Sequence, residues 1–519
     1  MMRRWILLAA VAITACASPE TTTEPPGNEN TLVWAATLDC DRLNPVVNEW
    51  NEASALIVSR LITINLSGQI EGDLADHWEV SEDHQTYTFR LRSGVTWHDG
   101  RSFTSDDVIF TFDEIMKPNA RSDKRLNLGP IESYEASDPQ TFVIHLSSPH
   151  TSLTTPLADL GILPRHVFED GSFDDDTVFD SSPIGTGPFR FVSRVNGEVV
   201  FEANEDYFRG APKISRLVVR PITNDDARAE AVLSGTIDIA QVTPNHVSLL
   251  AQSPSLEIHR FRTGVWRSMV MNVSRPILQD ARVRHAISLG LDREAMVEQG
   301  LNGMGQAAYW AVPPANWAYP HDAPTPGRDV EKAAALLDEA GWKAGADGKR
   351  SRKGQPLEMT IISLQDEIFR RTAGEIAHKD LEEIGFVVEL NKVDRETYGQ
   401  LGSDLGPDND ALIAGWSALT DPGDNLTKKY RTGGSQNGMG YSNPELDEIL
   451  DRAVAELDRD KARKIYLQAL EIIAEEASNI PLAYPDYVFV TGKSVTGVGD
   501  FILDNFYEFT RFAYLFGKE

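Results

Sequence analysis

The sequence predicts a mixed α/β protein built from at least two domains or lobes. Three observations carry this. The chain has 519 residues, 41% of them hydrophobic, which is more than a single core usually serves. Residues 74–112 read as a compact β-rich unit closed by a helix. Residues 358–391 alternate strand, helix and strand, the pattern of an α/β sheet.

Composition narrows the function. The 78 acidic residues outnumber the 49 basic ones, for a formal net charge of −29. Such a surface stays soluble and disfavours nucleic acid and anionic membranes. It names no ligand. The two cysteines are Cys16 and Cys40, and no structural disulfide is expected in the mature chain. No Cys/His set has zinc-ligand spacing, and the eleven histidines never occur as His-His or His-x-His, so no metal and no cofactor is expected. Gly-x-Ser-x-Gly, His-Glu-x2-His and a Cys-His arrangement are missing. No enzyme is expected from these motifs. A secreted hydrolase stays as an alternative, because carboxylate pairs are not identifiable in so acidic a chain.

The elements follow in order. Arg3 and Arg4 precede a short apolar run, Trp5–Ala12, too short to span a bilayer. The polar stretch 17–30 is rich in Pro, Thr and Glu and reads as a solvated tether. Thr31–Thr37 is the first expected strand, and Ala53–Leu61 a helix. Tyr87, Phe89 and Leu91 alternate with polar residues as a half-buried strand. Asp99-Gly100 is a tight turn. Thr104 caps a helix with Asp106 and Asp107 in its first turn. Strands are expected at Thr141–Leu146, Val199–Ala203, Ile214–Arg220 and Thr236–Ala240, with a helix at Asp225–Ser234. The acidic run Phe168–Asp180 is a solvated loop that lacks calcium-loop spacing. Asp280–Arg293 is mostly helix, and Ala308–Tyr319 is a Trp/Pro/Tyr-rich loop. Val330, Ala333, Ala334, Leu337 and Ala340 share a helical face ended by Gly341. Glu358–Ser363, Ile368–Ile384 and Val387–Asn391 form the β-α-β run. Leu412–Trp416 is a strand. Asn443-Pro444 starts a helix with Leu446, Ile449, Leu450, Ala453 and Leu457 as its stripe. Lys461–Ala474 is a further helix, and Ile480–Tyr484 a strand.

Several motifs together resemble one family. They are Leu74-Ala75-x2-Trp78, then Ser81-x-Asp83, Tyr87-Thr88-Phe89-x-Leu91-Arg92, Gly94-Val95, Trp97-His98-Asp99-Gly100 and Phe103-Thr104. Leu163-Pro164-Arg165-His166, Gly185-Thr186-Gly187-Pro188-Phe189 and residues 281–293 add to them. The chain is identified as resembling the extracytoplasmic solute-binding proteins of ABC importers, the oligopeptide/dipeptide/nickel family (family 5). The resemblance implies an α/β, two-lobed periplasmic-binding-protein type II fold (cluster C). It implies an extra β-rich subdomain at about 70–185 and a ligand cleft between the lobes. The boundaries it implies are 1–16 signal peptide, 17–30 tether, 31–265 first lobe, 266–486 second lobe and 487–519 return to the first lobe.

Ile13-Thr14-Ala15-Cys16 resembles a lipobox, which implies lipid attachment at Cys16 and an extracytoplasmic, membrane-anchored monomer; a plain secretory signal is the alternative. The implied partners are a permease pair and its cytosolic ATPases, with a solute, most simply a peptide, as ligand. The resemblance places Asn44, Thr186, Trp416, Ser417, Leu419, Asp421, Tyr484 and Tyr487 near the ligand. Peptide-binding relatives carry G-W-x2-D, whose Asp meets the peptide amine. Here Gly415-Trp416 is followed by Ser417, Ala418 and Leu419. A buried ammonium without a carboxylate is costly. Either Asp421 or Asp424 takes over, or the ligand has no α-amine. An oligosaccharide, an opine-like compound or a nickel chelate is then the alternative solute.

Overall fold

The computed structural model describes residues 30–519 except 49, 119, 123, 169–172, 174–175, 326, 402–404, 407 and 438–439. The expected signal peptide, Cys16 and nearly all of the tether lie outside the described residues.

Two large sheets organise the chain. The first has eight strands in the order Ile502–Leu503, Leu256–Thr263, Tyr487–Gly492, Ile239–Val242, Thr31–Ala36, Arg216–Pro221, Glu198–Ala203 and Phe189–Val195. Thr31–Ala36 runs parallel to both its neighbours, so the first strand is central. The second has six strands in the order Gly305–Ala307, Asn479–Pro485, Val265–Met271, Ala411–Ser417, Glu358–Leu364 and Val387–Val393. Its β-α-β run pairs in parallel, with Ile361 opposite Leu390. A smaller antiparallel sheet contains Ala75–Val80, Thr86–Leu91, Thr141–Leu146 and Ile131–Asp138. This is a mixed α/β, two-lobed periplasmic-binding fold.

The C-terminal segment returns to the first sheet because it is aromatic. Phe489 and Phe509 approach to 4.3 Å between ring centroids, and Trp34 lies 5.3 Å from Phe509. Phe261, Phe501 and Phe516 complete the cluster. Burying each such ring contributes roughly 2–3 kcal/mol.

The signature residues interlock. Thr104 and Asp107 form a capping box on the helix Ser105–Met116. The Asp107 carboxylate also accepts from Trp97 Nε1 at 3.3 Å and from the Arg165 amide at 3.0 Å. His166 Nε2 lies 2.9 Å from Asp99. The His98 ring clamps the glycine turn: Nδ1 accepts from the Gly185 amide at 3.3 Å, so Nε2 donates to the Gly187 carbonyl at 3.0 Å. Burial lowers the His98 pKa to about 4, which keeps the ring in that neutral tautomer.

Several expectations change. The run Phe168–Asp180, expected as a solvated loop, carries the start of the helix Asp176–Ser181, and Phe168, Phe173 and Phe179 are buried in the core of the first lobe, because the acidic residues alternate with rings that need cover. The helix expected over Ala53–Leu61 is a single turn, Ser54–Ile57. The Ile57 carbonyl accepts the Gly187 amide at 2.7 Å, so it does not extend the helix. Residues 280–293 are mostly helix as expected, as Ala281–Gly290, and a second helix, Arg293–Gly300, starts at their end. Asp292 breaks the run, since its amide donates to Asp380 at 2.8 Å and its side chain caps Ala295. The strand expected at Thr236–Ala240 is Ile239–Val242. Leu457 lies past the helix Pro444–Ala455 and is 44% exposed.

A Cβ at Gly185 would overlap the Ile57 carbonyl. Gly185→Ala is therefore expected to destabilise the first lobe by about 2–4 kcal/mol. Denaturant midpoints of the two proteins check this; an unchanged midpoint refutes the interlock.

Candidate functional site

The chain passes between the two large sheets at Gly264 and again at Asp486. Thr263 Oγ1 donates to the Pro485 carbonyl at 2.7 Å, tying the two crossings together. At Gly264 three segments converge. The Gly264 amide donates to the Leu503 carbonyl, and the Ala418 amide donates to the Gly264 carbonyl, both at 2.9 Å. A Cβ on Gly264 would lie 2.6 Å from Leu419 Cβ and 2.7 Å from Asp504 Oδ1. Only glycine fits between them.

Asp504 is the acid that sequence reasoning missed. Its Oδ1 accepts the Leu419 amide at 3.3 Å and touches Ser417 Oγ, which also reaches the Asp504 carbonyl at 2.9 Å. A carboxylate thus arrives beside Leu419 from the far end of the chain. Burial raises the Asp504 pKa to about 6, helped by Glu508 and Asp159, while the Ser417 hydrogen bond opposes the rise.

The opposite charge stands nearby. Burial pushes the Tyr487 hydroxyl up to about 12, and Arg267, Asp504, Glu367 and Arg370 all act on it electrostatically. Arg267 projects from the strand Val265–Met271, opposite Gly415. Its Nε is buried without a hydrogen-bond partner, as is Arg370 Nε. Arg370 sits in the first turn of Ile368–Glu383, 3.4 Å from Glu367 and 5.0 Å over the Tyr398 ring. Burial and then Arg267 lower the Arg370 pKa. Arg370 is paired with Glu367 while Arg267 Nε has no hydrogen bond, an arrangement that favours an added anion.

The residues nominated from sequence divide. Ser417, Leu419 and Tyr487 meet at this place. Trp416 flanks it, half-buried, with its ring 5.4 Å from Trp266. Tyr484 does not join them. Its hydroxyl donates to the Trp310 carbonyl at 2.7 Å and accepts the Trp310 amide at 3.1 Å, inside the second lobe. Asp421 caps Pro422–Tyr430 through the Gly423 amide at 2.8 Å and accepts Ser152 Oγ at 2.5 Å. Asp424 pairs with Lys428 at 2.7 Å. Both carboxylates nominated as amine anchors already have partners. Asn44 Oδ1 accepts the Val46 amide at 3.0 Å, closing its own turn. Asn44 Nδ2 and Thr186 Oγ1 are buried without partners.

A cavity of about 710 Å³ opens beside Leu419 and Asp421. Tyr87 and Thr151 line one side, Trp317 and Tyr466 the other. That volume suits a small organic ligand. Arg267, Arg370 and Asp504 carried no local signal. Arg370 reads as a charged helix start, and Asp504 belongs to no motif.

Comparison with known proteins agrees with the fold. Residues 69–438 match the model of the bacterial extracellular solute-binding proteins, family 5 Middle. The chain is 27% identical over 436 residues to the oligopeptide-binding protein AppA of Bacillus subtilis, covering 82% of this chain and 80% of that one. It is 27% identical over 498 residues to Protein XP55 of Streptomyces lividans, covering 94% and 90%. The structure of NikZ from Campylobacter jejuni in complex with Ni(L-His) superposes with a TM-score of 0.84 at 25% identity, covering 95% of this chain and 100% of that one. With the match running through both large sheets, the chain belongs to the bacterial extracellular solute-binding proteins of family 5.

Proposed function

We propose that this chain is the substrate-binding lipoprotein of an ABC importer, that it takes a short peptide between its lobes, and that it is not an enzyme. The observation that carries the ligand class is the pairing of charges around Tyr487. Asp504 offers a carboxylate beside Leu419, and Arg267 with Arg370 offers two guanidiniums. A peptide with free ends carries the complementary ammonium and carboxylate. The similarity to AppA, an oligopeptide-binding protein, supports the same class. The loaded, closed form then delivers the solute to a permease pair driven by cytosolic ATPases.

A second reading, a non-peptide solute such as a chelate, rests on the arginine pair alone. Carboxylates of a metal–amino-acid complex would satisfy it without an amine, and NikZ was solved with Ni(L-His).

A thermal-shift panel separates the two. Free-amine di- to pentapeptides are expected to raise Tm, and N-acetylated ones are not. Ligand at about 100 times its Kd adds roughly 2.7 kcal/mol. Asp504→Asn is expected to weaken the peptide shift, and Arg370→Gln to remove the preference for a free over an amidated C-terminus. If peptides are inert while a nickel chelate or sugar shifts Tm, the peptide reading fails.

Asp504 also sets a pH dependence of the empty protein. Its folded pKa of about 6 lies above the unfolded value, so its contribution is full below about pH 4 and is lost as pH rises through about 6. Asp504→Asn keeps an acceptor for the Leu419 amide without the charge. Denaturation of the variant from pH 4 to 8 is expected to show a flatter profile and higher stability at the upper end; matching profiles would count against the buried acid.

Lipid attachment at Cys16 is part of the proposal. Labelled fatty acid is expected to enter the wild-type protein and not Cys16→Ala. Incorporation into the variant would refute the anchor.

A further inference from the structure

Behind Trp416, within the second lobe, lies a separate chamber of about 40 Å³. Its lining includes Trp416, Lys429, Tyr430, Gln436, Tyr441 and Asn479. Lys429 is the only lysine among the described residues in the buried class. Its Nζ donates to Gln436 Oε1 at 2.7 Å and sits 4.6 Å from the Trp416 ring centroid. Among the described residues no carboxylate pairs with it. The nearby Asp424 is held by Lys428, and Lys428 itself repels Lys429. The Tyr430 hydroxyl is buried with no hydrogen-bond partner, and so is Asn479 Oδ1.

We propose that this chamber binds a small monovalent anion of the chloride class, held by the Lys429 ammonium and the Tyr430 hydroxyl. A buried ammonium with no carboxylate in contact is destabilising, and Asp424, the one carboxylate that favours its charge, is already paired with Lys428. Water would fill the space but leave the charge uncompensated, and a cation would be repelled. The volume admits a few water-sized groups, which suits a halide and excludes a peptide side chain of any length. A co-bound water donating to Asn479 Oδ1 completes the set. Burial and Lys428 lower the Lys429 pKa, and a bound anion opposes that shift, so anion affinity rises as pH falls.

The test uses the unaltered protein first. Crystals grown in sodium bromide are expected to show an anomalous peak within hydrogen-bonding reach of Lys429 Nζ and Tyr430 Oη. In solution, sodium chloride is expected to raise Tm by about 2 °C over sodium gluconate at equal ionic strength. Lys429→Met is expected to abolish that difference. Absence of the bromide peak overturns the proposal, as does a chloride shift that survives in Lys429→Met. Should the variant not fold, the bromide peak alone decides.

Discussion

Everything at the cleft depends on a crossing that has no room for a side chain. Gly264 hydrogen-bonds on one side to Leu503 and on the other to Ala418. The first contact fixes the returning C-terminal segment. The second fixes the loop after Trp416. Because both use the same residue, the loop and the C-terminal segment are positioned relative to each other by backbone geometry alone. Thr263 Oγ1 then binds the second crossing at Pro485. Ser417, Leu419, Asp504 and Tyr487 all lie beside these crossings. On the proposed reading, a ligand held there would sense small changes in lobe angle.

Local chemistry was legible in the sequence, and long-range placement was not. The Asp99-Gly100 turn, the Thr104 cap and the parallel β-α-β run follow from residues within a few positions of one another. The resemblance added the fold that those pieces share. It also brought forward Trp97-His98 and Gly185-Thr186-Gly187 as separate motifs. The structure explains why both are needed, since one ring nitrogen of His98 serves each flanking glycine. Breaks imposed from afar left no trace. The Asp380 carboxylate captures the Asp292 amide across the second lobe, and no periodicity in residues 280–293 reports it.

The same limit governed the site. The G-W loop resembles one that carries an acid, and Asp421 and Asp424 are the closest acids in sequence. Helix geometry had already claimed both, one as a cap and one as an i,i+4 partner of Lys428. The acid that lies against Leu419 is 85 residues further along the chain. Tyr484 and Tyr487 look equivalent in sequence but stand on opposite sides of the second crossing. The first is bound into the second lobe through Trp310, and the second faces the charges.

The charged groups around Tyr487 carry electrostatic strain of both signs. Arg267 raises the cost of charging Arg370, and Glu508 with Asp159 raises the cost of charging Asp504. A protein selected for stability alone would pair these groups with each other or replace them with apolar residues. Here both sets act on Tyr487 instead, Arg370 is paired with Glu367, and the buried Nε of Arg267 has no hydrogen bond. A ligand bearing one charge relieves one set. A ligand bearing both relieves both, and the relief is greatest when the lobes close and exclude water, because Coulomb attraction grows as the local dielectric falls. On the proposed peptide reading, closure and charge recognition would therefore be coupled through the same few side chains, and an uncharged solute of equal size would gain none of that energy.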